Sequence, residues 1–258
     1  MPSSPSSRQH SPSSLPESPS RSRRRLLPAL LALAAVLFVA HPPGVEAQTV
    51  RGGGYFALGA MELDLDALNQ RLTGAGFPEM SSSALTLGGG GHVVRGRLLI
   101  GGQGHGFMAD DETTADGATG VRLGGGYGLF NLGWELVSRD RLSIYPTAGL
   151  GGGGTALQIG PRDVPRFDDV LDDPGRGVTL SHAGLLTSVG VRAEVALGDR
   201  PRRRAPRQGM VVGAELSLLQ GIGNWRWGTE WGEVTRGPDA TLDGVHLRVT
   251  IGGGGGRR

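Results

Sequence analysis

From Arg51 to Ile251 the chain alternates apolar and polar residues in runs of about ten, the period of strands with two different faces. Eight runs stand out. In the first, Phe56, Leu58 and Ala60 share a face opposite Arg51 and Tyr55; in the second, Leu85, Leu87 and Val93 align. The third sets Leu98 and Ile100 against Gln103 and His105. The fourth holds Val121, Leu123, Tyr127 and Leu129 in one phase, then Phe130, Leu132, Trp134 and Leu136 in the other, which predicts a bulge near Leu129. The fifth sets Leu142, Ile144, Ala148 and Leu150 against Ser143, Tyr145 and Thr147, with Pro146 at an awkward place for a paired strand. In the sixth, Leu185 to Val195 align opposite Ser188, Arg192 and Glu194. Met210 to Leu218 oppose Glu215 and Ser217 in the seventh, and Val245 to Ile251 oppose His246, Arg248 and Thr250 in the last.

The connections alternate as well. Those after runs two, four and six are short or basic: Arg95-Gly96-Arg97, 138–141, and 198–208 with Arg202-Arg203-Arg204. Those after runs one, three, five and seven (63–82, 110–118, 159–177, 222–241) are mostly longer and acidic. Short turns at one end and long loops at the other, with an even strand count, describe a barrel that crosses a membrane. The predicted fold is all-β: a closed antiparallel up-and-down transmembrane β-barrel of about eight strands, with both termini on the periplasmic side. Glycine runs such as Gly88–Gly91 and Gly151–Gly154 fall inside the strands. A narrow barrel curves tightly and has little interior volume, so glycine on its inner face relieves both constraints. The first long loop holds the only helical pattern of the mature chain. Asp64 or Asp66 caps it, Leu65, Leu68 and Leu72 share a face, and Gly74 and Gly76 end it.

Residues 1–47 read as an address. A Ser/Pro-rich extension precedes Arg21-Ser22-Arg23-Arg24-Arg25, an apolar run from Leu26 to Ala40, and Val45-Glu46-Ala47. This is the layout of a secretory signal peptide, cleaved after Ala47, with the barrel domain spanning 48–258. The apolar run is too short for a spanning helix. A twin-arginine signal also fits residues 22–26, but that route carries folded cargo, and a membrane barrel must cross unfolded.

Charge changes the picture little. The net charge of +2 resembles that of a nucleic-acid binder, yet residues 1–47 carry five Arg and two Glu, and the remainder is left at −1. Nucleic acid is not an expected partner. The chain has no Cys, which excludes disulfides, thiol nucleophiles and Cys-bound zinc. It has no Lys and no GxxxxGK[ST], so the glycine runs are not phosphate loops.

Strand parity assigns Gln103, His105, Arg122, Glu135, Arg192, Glu194, Glu215, His246 and Arg248 to the lumen. Buried charges must pair, and eight strands leave an interior that side chains can fill. These nine residues are therefore read as an ion-pair network that plugs the barrel. His92, His105, His182 and His246 show no metal spacing. Ser181 and His182 are adjacent, so on a strand they face opposite ways and cannot act as nucleophile and base. Neither a catalytic site nor a cofactor is expected. The acidic clusters Asp110-Asp111-Glu112 and Asp168-Asp169 with Asp172-Asp173 offer oxygen ligands of the kind calcium takes, but they lack EF-hand spacing, and the favoured reading is solvated loops. Trp225, Trp227 and Trp231 would share one face if the last hairpin extended that far, either as interfacial aromatics or as a surface binding patch.

Together the signal peptide, the opening Gly52-Gly53-Gly54-Tyr55-Phe56, the stretch Leu142 to Gly151 and the Gly-ending last strand resemble the OmpA/OmpX-like group of small outer-membrane β-barrels. The resemblance implies a monomer in the Gram-negative outer membrane, surrounded by outer-membrane lipid and inserted by the barrel-assembly machinery. The expected role is structural or surface interaction. The alternatives are a porin-like channel for ions or small solutes, a lipid-modifying barrel enzyme and a soluble periplasmic ligand carrier.

Overall fold

The computed structural model describes residues 50–139, 141–162, 166–172, 175, 177–197, 207–238 and 241–257. The expected signal peptide with its cleavage point, the twin-arginine stretch and Arg202-Arg203-Arg204 lie outside them. The eight main strands are β1 (Val50–Leu63), β2 (Ser83–Arg95), β3 (Leu98–Ala109), β4 (Thr119–Trp134), β5 (Leu142–Pro161), β6 (Val178–Leu197), β7 (Arg207–Ile222) and β8 (Gly244–Arg257). Each pairs antiparallel with the next, and β8 pairs with β1 from Gly244↔Leu63 to Arg257↔Val50, which closes the cylinder. The first and last strands therefore start and finish at the end that carries the short turns.

Parity decides what each strand shows. On β1, Phe56 and Leu58 are 76% and 63% exposed while Ala57 and Met61 are buried. Leu85, Leu150, Leu185, Leu216 and Leu247 are exposed on their strands too, so an apolar belt runs round the outside. Water would not tolerate so continuous a patch on a soluble monomer.

Strand β4 departs from expectation. It pairs with β5 without a slip from Thr119↔Pro161 to Gly133↔Thr147, and no bulge occurs near Leu129. Val121, Leu123, Tyr127 and Leu129 are buried inside, while Phe130 and Leu132 face out. The two apolar phases are two faces of one strand. Pro146 does lie within β5. Ile144 O accepts from Leu136 N at 3.0 Å, so residues of that parity aim their backbone toward β4. Pro146 falls between Gly133↔Thr147 and Val137↔Ile144, where the ladder is interrupted and a residue without an N–H donor is tolerated.

The glycine tracts alternate like everything else. A Cβ on lumen-facing Gly153 would lie 2.6 Å from Leu186 Cδ1 and 2.7 Å from Tyr127 Cβ, whereas one on outward Gly104 would meet nothing nearer than 3.8 Å. At Gly153 the narrow interior itself demands glycine, because the atoms it would meet include side chains that fill the lumen.

The first long loop contains helix α1 (Asp66–Gly74), with Leu68 and Leu72 buried against the loop end of the interior. Its N-cap is Leu65, which makes no side-chain capping bond, so the expected Asp cap is not formed. Asp66 instead places negative charge in the first turn, where the helix dipole favours it. The chain leaves the helix through Gly76 at φ +85. A second helix, α2 (Phe167–Asp172), lies in the third long loop, where no helical pattern is evident in the sequence.

Candidate functional site: the barrel interior

The interior has two halves of different chemistry. Toward the turn end, inward residues of β1, β2, β6, β7 and β8 carry charge. Arg192 of β6 donates through Nε to Glu215 Oε2 at 2.7 Å and through Nη2 to Tyr55 OH at 2.7 Å. Its guanidinium also lies 4.6 Å from the Tyr55 ring centroid, a cation–π contact. Arg248 of β8 donates to the other oxygen of Glu215, to Gln103 Oε1, and to His105 Nε2 at 2.9 Å. One carboxylate thus holds two guanidinium groups, all three nearly inaccessible. Glu194 lies 3.6 Å from Arg192 and 3.5 Å from His92.

At the rim Arg51 grips both oxygens of Glu135 at 2.6 and 2.7 Å, and Ser143 Oγ donates to the same carboxylate at 2.9 Å. The named charges balance: Arg51, Arg192 and Arg248 against Glu135, Glu194 and Glu215. Burial of so many ions is tolerable because each has an opposite charge within 4 Å, although Arg51 Nε and Arg248 Nε are buried without a hydrogen-bond partner.

His246 is fully buried above this layer, bridging Thr86 Oγ1 at 2.8 Å and Tyr127 OH. His105 stacks on Tyr127 with ring centroids 5.2 Å apart.

Toward the loop end the interior turns apolar. Met61, Leu123, Leu129, Leu157, Leu186, Leu219 and the inner face of α1 form one cluster with Trp225 and Trp227. Both indoles are tied down: Trp225 Nε1 donates to Ile222 O and Trp227 Nε1 to Pro238 O, each at 3.1 Å. His182 meets Trp227 edge-on at 4.2 Å and bonds Thr155. Two small cavities lie between these groups. One of about 10 Å³ touches Tyr55, His92, Arg192 and Glu215. The other, of about 20 Å³, touches Leu68, Thr155, His182 and Trp227. Each has room for a water or so.

Of the nine residues assigned to the lumen, eight are buried there: Gln103, His105, Glu135, Arg192, Glu194, Glu215, His246 and Arg248. Arg122 is not among them. It faces out, two-thirds exposed, and pairs with Asp111 at 2.8 Å. Its placement inside depended on the bulge that β4 lacks. The tryptophan patch is also corrected. Strand β7 ends at Ile222, and Trp225 and Trp227 turn into the barrel mouth, while Trp231 alone is exposed, at 93%. Arg51, Tyr55, His92 and Tyr145 complete the polar layer, and strand parity was the available signal for each. Among the acidic loop residues, Asp111 is engaged by Arg122 and Asp169 accepts from Arg166 N at 3.0 Å. Ser181 is exposed and His182 buried, on opposite faces of β6.

No protein-family model and no curated protein matches the chain. Among solved structures it is similar to Ail, the attachment invasion locus protein of Yersinia pestis, at 11% identity over 83% of this chain and 100% of that one, with a TM-score of 0.38. It is similar to the outer membrane protease OmpT from Escherichia coli at 9% identity, 84% and 98% coverage and a TM-score of 0.32. The outer membrane protein AlkL matches at 11% identity, 85% and 94% coverage and a TM-score of 0.29. The strand ladder itself establishes the architecture: the chain forms a closed antiparallel barrel of eight strands.

Proposed function

We propose that this chain is an outer-membrane protein of the bacterial cell envelope, with an interior closed to solutes and a structural or surface-interaction role. The exposed apolar belt supports the membrane setting, because hydrocarbon solvates such a surface and water does not. The short-turn end, which holds both ends of the barrel domain, faces the periplasm, and the four long loops face outward. We assign no catalytic role to the interior.

The observation that carries the closed lumen is the Arg192–Glu215–Arg248 triad, which joins β6, β7 and β8 and bonds across the interior to Tyr55 of β1 and to Gln103 and His105 of β3. An ion passing through would have to break charge-assisted bonds and then cross the apolar layer of Leu123, Leu186 and Trp227. Planar-bilayer recording of the purified protein tests this. The expected trace is flat. A steady unit conductance would replace the plug with a small channel. Recovery in the soluble periplasmic fraction would end the membrane reading, and an expression-dependent change in cellular lipid would revive a lipid-modifying enzyme.

A further inference from the structure

We propose that the turn end of the barrel carries a docking patch for anionic phospholipid headgroups, formed by Arg97, Arg139 and Arg141. The inference rests on the membrane setting proposed above and adds the lipid class. The side chains of all three arginines are exposed, yet their backbones are held. Arg97 O accepts from Glu135 N at 2.8 Å, which brings the β2–β3 and β4–β5 turns side by side. Arg141 O accepts from Ala196 N at 2.9 Å, and Arg139 pairs with Leu142. The guanidinium groups therefore project from a fixed rim.

Directly above that rim the apolar belt begins. Leu136 is 53% exposed beside the first turn, and Leu142, Val195 and Leu197 are exposed next to the second. A guanidinium at the border of an apolar belt lies where lipid phosphates lie, and its planar fork can bind a phosphodiester through two parallel bonds. The loop end provides the contrast. There Arg122 is answered by Asp111 at 2.8 Å and Arg226 by Glu233 at 3.0 Å. In sequence, the two turns that carry the patch hold Arg97, Arg139 and Arg141 against a single acid, Asp140. That excess attracts a negatively charged leaflet, and salt screens the attraction.

The test compares the full chain in phosphatidylcholine vesicles with the same chain in vesicles that also contain phosphatidylglycerol. The midpoint of thermal unfolding should be higher with phosphatidylglycerol at low salt, and the gain should shrink as salt rises. The triple variant Arg97→Gln, Arg139→Gln, Arg141→Gln should lose most of that gain, whereas Arg226→Gln at the opposite end should keep it. An independent readout needs no variant: spin-labelled phosphatidylglycerol should contact the wild-type barrel several-fold more often than the choline lipid. Insertion into both vesicles with equal midpoints and no lipid preference overturns the patch alone. A triple variant that keeps the full gain does the same. Failure to insert into either vesicle overturns the membrane setting and the patch with it.

Discussion

The indole of Trp225 occupies the space that a side chain at Gly184 would need. A Cβ at that position would fall 2.5 Å from Trp225 Cδ1, and other indole atoms are nearer still. Glycine on β6 thus makes room for the tryptophan that fills the barrel mouth. Gly184→Val is predicted to expel the ring at about 1–3 kcal/mol, the usual cost of overpacking. Urea unfolding in micelles would measure the loss, and tryptophan emission should shift to the red as the ring enters water. Unchanged emission and stability would contradict the packing described.

Glu215 is the hinge of the polar layer because, among the described residues, it alone answers both Arg192 and Arg248. Glu215→Gln keeps the shape but removes the carboxylate that answers Arg248 and leaves Arg192 with only the more distant Glu194, at 3.6 Å. Removal of one partner from a buried ion pair costs about 3–5 kcal/mol. The variant should unfold at markedly lower urea, and an Arg192→Met, Glu215→Gln double variant should recover part of the loss. A double variant whose loss equals or exceeds the sum of the two single losses would argue against direct coupling.

Which parts of this architecture are legible in sequence follows from contrast between strand faces. On β6, β7 and β8, Val191, Leu216 and Leu247 alternate with Arg192, Glu215 and Arg248, so outside and inside are plain. On β4 the contrast vanishes, because Val121 and Leu123 fill the apolar half of the interior while Phe130 and Leu132 face out. A strand apolar on both faces mimics a change of phase, and Arg122 is misplaced as a result. The same apolar half explains the tryptophans. A sequence reading that assumes a polar lumen has no place inside for Trp225 and Trp227, whereas the fold buries both beneath the loops. Six-residue α2 is too short to show a helical period.

The second long loop offers a pH-dependent contact. Asp116 accepts from Thr114 Oγ1 at 2.6 Å and from Ala118 N at 3.0 Å, and these bonds to the charged form hold its carboxyl below the usual aspartate range. A depressed carboxylate stabilises the turn above the unfolded pKa, and that contribution fades as pH falls through the folded value. NMR titration should therefore find Asp116 below an ordinary aspartate, and Thr114→Val should move it back up. A titration unaffected by Thr114→Val would show that the hydroxyl bond does not set the shift.

Leu216 and Ser217 are neighbours on β7 with opposite fates: the first is 54% exposed in the outer belt and the second is buried inside. If hydrocarbon surrounds the belt, Leu216→Arg should cost up to about 2–4 kcal/mol in a bilayer, falling toward zero near the interfaces. Leu216→Ala should cost less there, since it removes apolar area without adding charge. In a soluble barrel the order would invert, because an exposed arginine is harmless and removal of an exposed leucine is nearly so. Folding into lipid vesicles, followed by the heat-dependent gel shift of the folded form, would give the ranking. Leu216→Arg folding as well as wild type in lipid would mean that this face does not meet acyl chains.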